Sequence, residues 1–351
     1  MISFILIAFF SLIGLLVLHE ASHFLMAKKC GVKVKEFGIG YPPRIFGKKM
    51  GDTIYSLNLL PFGAFVAIDQ DELKRKSFWQ RGLVLGAGII SFWIFSFILI
   101  AVILFIGAFT QIDDNDQVVS EPTVQVVAIA DESPASNVEI EVGDSIYAIK
   151  AEGEDVIMVD KVKDIQDIIE EYKGREIELS INRQGELLTL KLTPRILPPE
   201  GEGAIGVALV RIGIKRYSWH QAIIGSAEET VQLTGLIVIG LGKAVGNIFV
   251  GKPSGAELVG PIGIVDIFAK SGALGISYFL QNMALISLHL AIFNALPIPM
   301  MDGGRFAFLV LEKIRKKPLN EKIEKKINNI FFLLLFALMI LTTIKDIIKL
   351  F

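Results

Sequence analysis

Two histidines and a glutamate interrupt a long apolar segment at the start of the chain. The segment from Ile2 to Ala27 contains His19, Glu20 and His23 as its only ionisable side chains. In an α-helix, side chains four positions apart lie on one face, so both imidazoles can bind one Zn²⁺, and Glu20 beside them can take a proton from an activated water. Ionisable groups at membrane depth are costly and usually functional. The spacing therefore predicts a zinc hydrolase whose active site lies within a membrane.

Asp302 is the candidate for the third ligand that such a site requires. A catalytic zinc is typically held by three protein side chains and keeps one position open for water or substrate. The chain has one cysteine and four histidines, two of them in the motif, so a carboxylate is the expected third ligand. Asp302 follows Pro297 and Pro299 and precedes two glycines, which predicts an irregular backbone that can turn its carboxylate toward the metal. Alternatively, Asp302 merely caps a helix that begins after Pro299.

The composition is that of an integral membrane protein with some soluble mass. The 351 residues are 52% hydrophobic with a formal net charge of −2, and the mean hydropathy is +0.55. This charge balance gives no electrostatic case for a nucleic-acid partner. The single cysteine, Cys30, excludes an intrachain disulfide and a cysteine-rich zinc module.

Four apolar segments are long enough, or nearly so, to cross a bilayer. They run from Ile2 to Ala27, from Gly82 to Phe109, from about Tyr278 to Leu296 and from Ile330 to Leu350. Polar residues interrupt the third, which indicates that it faces protein. The apolar, glycine-rich stretch 219–250 fits either an interfacial amphipathic helix or a fifth span. We interpret it as an interfacial amphipathic helix, because an even number of crossings fits the charge pattern.

Lysine and arginine residues predict the orientation of these spans. They are concentrated between the first and second spans and between the third and fourth. Because such loops remain cytoplasmic, both termini and the long middle region are expected to be extracytoplasmic. About 17 residues precede His19 in the first span, which at ~1.5 Å per residue is roughly 26 Å of a ~30 Å hydrocarbon layer. The metal is therefore expected toward the cytoplasmic leaflet.

The first cytoplasmic loop contains a predicted β-hairpin. Residues from Ile54 to Leu60 and from Ala64 to Ile68 have strand character, with a turn at Pro61-Phe62-Gly63 between them. Such an apolar hairpin is expected to dip toward the bilayer, with its edge covered by protein or paired with another strand.

The middle of the chain predicts a small α/β module. The expected elements are a strand from Thr123 to Ile129, a turn and strand from Gly143 to Ile149, a helix from Val162 to Tyr172, and a hairpin of Glu176 to Asn182 and Glu186 to Leu192 around Arg183-Gln184-Gly185. About 75 residues are enough for one core.

With these features in order, the chain resembles the site-2 protease family of intramembrane zinc metalloproteases, most closely the bacterial regulator-of-sigma-E type. The resemblance rests on His-Glu-x-x-His at 19–23, on Asn-x-x-Pro-x-Pro-x-x-Asp-Gly at 294–303, and on four spans with an inserted module. It implies an α-helical polytopic membrane protein with a membrane-dipping β-hairpin and one α/β PDZ-like domain. The expected divisions are residues 1–117 for the first membrane half, 118–197 for the PDZ-like domain, 198–276 for a linker and the interfacial helix, and 277–351 for the second membrane half.

The resemblance also implies an activity and its residues. It implies regulated intramembrane proteolysis in the bacterial inner membrane of single-span substrates, such as an anti-sigma factor or a signal-peptide remnant, after a site-1 protease has trimmed them. By position, His19, His23 and Asp302 would bind zinc, Glu20 would be the general base, and Asn294 would lie near the reacting carbonyl or the substrate backbone. The hairpin would extend the substrate as an added strand.

This chain departs from the family pattern in two places. At 87–91, Ile89 and Ser91 stand where the family often has proline and asparagine. The chain also has one PDZ-like unit where the closest type often has two. Either peptide binding by this unit or a passive size filter fits its sequence.

Two other functions remain open. A membrane scaffold with a decayed active site would bind partners through the module, and a zinc transporter would also place histidine and aspartate at membrane depth, although with repeated halves. Individual residues also have structural alternatives. Asn294 could be a packing amide, His289 is expected to form an interhelical hydrogen bond, and His220 is expected to lie at the membrane interface beside Trp219.

Overall fold

The computed structural model describes residues 2–114, 120–151, 153–183, 185–199, 201–252, 259–317 and 319–350. The chain divides into two compact units. Unit 1 combines Met1–Val102 with Ile223–Phe351, and unit 2 is Ile103–Ala222.

The described residues form ten helices and nine strands. The helices are α1 (Ile2–Lys29), α2 (Gln70–Lys74), α3 (Phe78–Ile106), α4 (Pro134–Asn137), α5 (Val162–Glu171), α6 (Trp219–Phe249), α7 (Pro261–Leu274), α8 (Ile276–Ala295), α9 (Asp302–Arg315) and α10 (Glu321–Leu350). The strands are β1 (Val34–Met50), β2 (Thr53–Ile68), β3 (Ala108–Gln111), β4 (Ser120–Ile129), β5 (Ser145–Ala151), β6 (Ile157–Met158), β7 (Ile177–Arg183), β8 (Glu186–Leu192) and β9 (Val207–Lys215).

Five helices in the described part of the chain are long and apolar enough to cross a membrane. These segments are Ile5–Lys29, Phe78–Ile106, Trp219–Asn247, Ile276–Ala295 and Lys322–Ile348. Four of them coincide with predicted spans. The additional one lies in α6, where the indole N–H of Trp93 in α3 donates a hydrogen bond to Thr234 Oγ1 at 3.2 Å. By length and composition, the segment expected at the interface therefore also qualifies as a span.

Four helices of unit 1 meet in one apolar core. Leu15 of α1, Phe92 of α3, Phe268 of α7 and Met283 of α8 are buried together. The hydroxyl of Ser287 in α8 donates to the carbonyl of Phe92 at 2.7 Å. Such interhelical bonds and close packing hold membrane helices together, because lipid offers no competing polar partners. This core fixes α1 relative to α8, and those two helices carry or lead to the predicted metal ligands.

The last helix is joined to α7 by a buried carboxylate. Asp346 of α10 accepts hydrogen bonds from the backbone N–H groups of Gly260 and Gly263, at 3.2 and 2.8 Å. These donors lie at the N-terminal end of α7, where N–H groups lack partners within the helix and a negative charge is favourable. Asp346 therefore caps α7 from a separate helix.

The strands of unit 1 pair differently from the predicted hairpin. Residues 51–52 form the tight turn, and β1 pairs antiparallel with β2, which continues through Pro61 to Gly63. Residues 36–39 pair with both 54–57 and 64–67. The predicted strands therefore do not pair with each other around Pro61 to Gly63, since residues 36–39 lie between them. The prediction was wrong here because β1 contains Pro42, Pro43 and several charged residues, which hid its strand character.

Unit 2 is built on a seven-stranded sheet with the order β3-β9-β4-β5-β7-β8, and β6 pairs with β5. Strand alternation gives the core: Ile177, Leu179 and Ile181 of β7 are fully buried. The helix α5 packs Ile165 against them. The hairpin of β7 and β8 and the strands β4 and β5 confirm the predicted elements.

Two predicted boundaries of the module change. The stretch after residue 197, expected to be a linker, contains β9, which pairs with β3 and β4. The end of the second predicted span, Phe109, belongs to β3. Both pairings join residues distant in sequence, and local patterning does not reveal them. The predicted start of the module, at Val118, and the middle turn residue Gln184 lie outside the described residues.

Candidate metal centre

Three side chains from two separate parts of unit 1 converge on one point. His19 Nε2 and His23 Nε2 lie 3.3 Å apart, and Asp302 Oδ2 lies 3.4 Å from the first and 3.1 Å from the second. All three ligand atoms lie within 4.8 Å of one another, and all three residues are less than 9% exposed. The structure thus brings together both predicted histidines and the predicted carboxylate, across 279 residues of sequence.

Helix α3 orients both imidazoles. His23 Nδ1 lies 2.8 Å from the carbonyl oxygen of Val84, so a proton on Nδ1 leaves Nε2 free as a ligand. The ring of His19 stacks on Phe92, with centroids 4.6 Å apart and planes at 16°. Metal-binding histidines are usually held, as His23 is, by a hydrogen bond of the second ring nitrogen.

The backbone before Asp302 is irregular, as the two prolines predict. Helix α8 ends at Ala295, and Met300 has a positive φ of 83°. Side chains at Gly303 and Gly304 would collide with backbone carbonyls of residues 295–298. Only glycine allows this close approach. The double glycine therefore lets α9 begin directly against the end of α8.

Asp302 is the first residue of α9, but its carboxylate does not cap the helix. The N-cap residue is Met301, without a side-chain cap hydrogen bond. Burial raises the pKa of Asp302, but the hydrogen bond with His23 and the nearby imidazoles outweigh it and hold the pKa below its ordinary value. The capping alternative is therefore wrong in this structure, and the carboxylate faces the histidines.

Gly88 of α3 is a component of the site that the sequence prediction did not include. A Cβ added at Gly88 would collide with His23 Nε2 and His19 Cε1, and it would lie 2.8 Å from Asp302 Oδ2. The three ligand atoms therefore surround space that exists because position 88 has no side chain. The sequence at 87–91 resembles a family pattern, and this resemblance could have identified Gly88. The prediction there concerned only Ile89 and Ser91.

Asn328 of α10 is the second component that was missed. Its Oδ1 accepts a hydrogen bond from the backbone N–H of Met300 at 3.1 Å. Met300 is the residue with positive φ, two positions before Asp302, and such a conformation persists when its surroundings hold it. Asn328 therefore supports the loop that presents the carboxylate. No sequence pattern linked this asparagine to the loop.

A cavity of about 390 Å³ adjoins two of the three ligands, His23 and Asp302. Glu20, His23 and Asp302 line it together, and the strand residues Ala64 and Val66 form part of its wall. Besides aromatic and aliphatic residues, the lining includes charged and amide side chains, namely Gln70, Lys74, Arg81, Arg305, Glu312, Glu324 and Asn328. A polar lining of this kind can admit water to the ligands.

The remaining sequence candidates lie elsewhere. The Asn294 amide donates to the carbonyl of Leu290 within α8 at 2.9 Å, and Asn294 is not among the residues that line the cavity. His289 Nδ1 contacts the Leu285 carbonyl at 2.8 Å in the same helix, so the predicted interhelical hydrogen bond is replaced by a local one. His220 is exposed and lies beside Trp219.

The donor set fits zinc. Two imidazole nitrogens and one carboxylate oxygen are ligands that catalytic zinc sites use, with a fourth position open. The buried position, the fixed ring of His23 and the space that Gly88 leaves beside the three ligand atoms fit a metal ion that His19, His23 and Asp302 would hold. With zinc, the arrangement can perform metal-assisted hydrolysis.

Comparisons with known proteins agree with this chemistry. The model of Peptidase family M50 matches residues 7–338. A relative from Clostridium perfringens is 32% identical over 354 residues, covers 98% of each chain and carries zinc metalloprotease in its name. The zinc metalloprotease RasP of Shouchella clausii is 27% identical over 99% of both chains. The regulator of sigma-W protease RasP of Bacillus subtilis is 26% identical over 98% of both chains.

Solved structures also match. One of them is the PDZ domain of an SdrC-like protein from Listeria monocytogenes, at 22% identity and a TM-score of 0.21, and the match covers 24% of this chain and 85% of that one. At that score it carries no argument about unit 2. The family match and the zinc metalloprotease relatives span nearly the whole chain, including both ligand-bearing segments. The chain therefore belongs to Peptidase family M50, the site-2 proteases, and is a zinc metalloprotease with several apolar, membrane-type helices.

Proposed function

We propose that this protein cleaves single-span membrane proteins inside the bilayer, at the centre formed by His19, His23 and Asp302. The observation that carries the proposal is the convergence of these three buried ligands, next to a cavity that Glu20 lines together with His23 and Asp302, at apolar helices. A membrane helix that carries buried ionisable groups around a polar cavity is expected to be functional.

In the proposed mechanism each residue has one role. The bound zinc would supply a Lewis acid that activates water and polarises the scissile carbonyl. Glu20 accepts the proton of the attacking water and later gives it to the leaving amine nitrogen. His19, His23 and Asp302 hold the metal, with His23 oriented by the Val84 carbonyl. Asn294 is proposed as a polar group near the substrate backbone: its amide donates one hydrogen to the Leu290 carbonyl, and an asparagine side chain has a second N–H and an oxygen with which to contact a substrate.

The strand segment 64–68 is the proposed substrate guide. It forms part of the cavity wall beside Glu20, and residues 36–39 pair with its residues 64–67. A substrate in helical form hides its carbonyls in internal hydrogen bonds. An extended substrate added to this strand would expose them to the metal centre.

The substrate class and the location follow from the family and the charge pattern. We infer that the substrates are anti-sigma factors or signal-peptide remnants, already trimmed by a site-1 protease, because one relative is named a regulator of sigma-W protease. The lysine- and arginine-rich loops support a metal centre that lies toward the cytoplasmic leaflet of a bacterial inner membrane. The termini and the module of residues 118–197, which we interpret as PDZ-like, would then be extracytoplasmic, with 219–250 at the interface.

The test compares wild type with Glu20→Gln. Both proteins, purified in detergent, are expected to hold close to one zinc per chain, because Glu20 is not a ligand. Only the wild type is expected to cleave a tagged single-span substrate. Equal cleavage by both would remove Glu20 from the mechanism. Bound zinc with no cleavage by either would favour the scaffold or transporter alternatives.

A further inference from the structure

A cleft at the end of α9 combines aromatic and basic side chains. Its volume is about 350 Å³, and its lining includes Phe78, Leu309 and Lys313 together with Arg81, Glu312, Lys316 and Lys317. Phe78 is the first residue of a candidate span, so the cleft lies where the span begins. The next residue is Trp79, and tryptophan side chains at such positions sit at the level of lipid headgroups.

The charges of the cleft do not cancel. Arg81 forms an ion pair with Glu312 Oε2 at 2.9 Å, and the other oxygen of Glu312 accepts the backbone N–H of Leu319 at 3.2 Å. Both oxygens of the one acidic side chain in the lining are therefore occupied. Lys316 and Lys317 form no ion pair with any residue that the structure describes. The cleft thus retains a net positive charge.

Local geometry holds these cations in place. Lys313 Nζ lies 4.0 Å from the ring centroid of Phe78 and 5.4 Å from that of Trp79, which is cation–π geometry. Lys316 adopts the left-handed conformation at φ 52° and ends α9. The backbone N–H of Leu319, three residues after Lys316, donates to Glu312 of α9. Lys316 and Lys317 therefore lie between two residues that a hydrogen bond joins.

The apolar surroundings indicate which anion would occupy the cleft. Trp79 is 73% exposed, and α9 exposes Leu311 and Ile314 next to its basic end. A basic helix end with exposed apolar side chains is typical of a membrane-surface helix. A soluble anion would use the lysines alone, whereas an anionic lipid uses the lysines and the apolar side chains together.

We propose that this cleft binds the phosphodiester headgroup of an anionic phospholipid. Lys316 and Lys317 would contact the phosphate, and Phe78 and Trp79 would contact the start of the acyl chains. Helix α9 also begins at Asp302, so the lipid would bind about 20 Å along the same helix from the metal centre. This proposal does not depend on the proteolytic function.

The test uses the fluorescence of Trp79. The chain has three tryptophans, so the Trp93→Phe, Trp219→Phe variant reports on Trp79 alone. In phosphatidylcholine nanodiscs, phosphatidylglycerol with brominated acyl chains is expected to quench Trp79 saturably and more strongly than brominated phosphatidylcholine at the same fraction. Equal quenching by the two lipids would overturn the proposal.

Matched lysine variants separate a site from general surface charge. Lys316→Gln with Lys317→Gln is expected to weaken the preference for phosphatidylglycerol roughly 10- to 30-fold. Lys325→Gln with Lys326→Gln removes the same charge outside the cleft and is expected to change it less than about twofold. Replacement of Lys316 and Lys317 by arginine should preserve binding. Equal loss in both glutamine variants, or release of the lipid by inorganic phosphate, would overturn the proposal.

Discussion

Substitution of Gly88 by alanine should empty the metal centre while leaving α3 intact. The added Cβ would collide with both imidazoles and lie 2.8 Å from Asp302 Oδ2. The imidazole rings have little room to move away from the added Cβ, because His23 is hydrogen-bonded to the Val84 carbonyl and His19 stacks on Phe92. At least one ligand must therefore leave its position.

The magnitude follows from the contribution of one ligand. Four-ligand structural zinc sites bind with about 10–16 kcal/mol, so one ligand contributes roughly 2.5–4 kcal/mol. At ~1.36 kcal/mol per tenfold change, loss of one ligand weakens zinc binding by about 60- to 800-fold. We expect Gly88→Ala to lose zinc to a chelator at concentrations that wild type withstands, and to lose cleavage in parallel.

Gly86→Ala is the matched control. Gly86 lies on the same helix, and a Cβ added there would have no heavy atom within 4 Å. Both substitutions increase helix propensity by about 0.5–1 kcal/mol, so an effect on the helix itself is common to the two variants. The assay is zinc content by atomic absorption across a chelator titration, with thermal unfolding in detergent as a check on folding. If folded Gly88→Ala kept zinc as firmly as Gly86→Ala, the space opposite Gly88 would not be where the metal binds.

Three further predictions concern the elements around the centre. Asn328→Ala removes the acceptor of the Met300 N–H. Because one hydrogen bond contributes ~1 kcal/mol, this variant should bind zinc about 5- to 10-fold more weakly. The neighbouring Asn329→Ala variant is the control, and equal zinc affinity in the two variants would refute the role of Asn328. Asp346→Ala leaves two backbone N–H groups of α7 without their acceptor and should lower the free energy of unfolding by roughly 1–3 kcal/mol in a detergent melt; an unchanged melt would contradict this. Cys30 is the single cysteine, and the proposed topology puts it on the cytoplasmic side. An impermeant maleimide should therefore label Cys30 only in cells whose inner membrane has been permeabilised. Labelling in intact cells would reverse the proposed topology.

Local sequence was sufficient for the features that depend on short spacing. The i, i+4 relation puts His19 and His23 on one helical face in any α-helix, and the prolines at 297 and 299 interrupt α8 wherever it packs. Alternation of apolar residues likewise predicted β7, whose Ile177, Leu179 and Ile181 are buried. These inferences needed no information on distant residues.

Pairing between distant segments could not be derived in this way. Strand β9 joins β3 and β4 across about 100 residues, and residues 36–39 separate the two halves of the predicted hairpin. Periodicity shows that a segment can be a strand, but the choice of partner depends on packing across the whole unit. This is why the predicted linker and hairpin were wrong while the individual strands were largely right.

The sequence by itself determined which side chains could bind zinc and which helices carry them. The tertiary structure alone decided that Asp302 meets the histidines, that Gly88 leaves room between the three ligands, and that Asn328 holds the loop before Asp302. The physical reason is that ligand identity and helical spacing are local properties of the chain. The empty volume opposite a glycine and the meeting of helices far apart in sequence arise only when the helices pack.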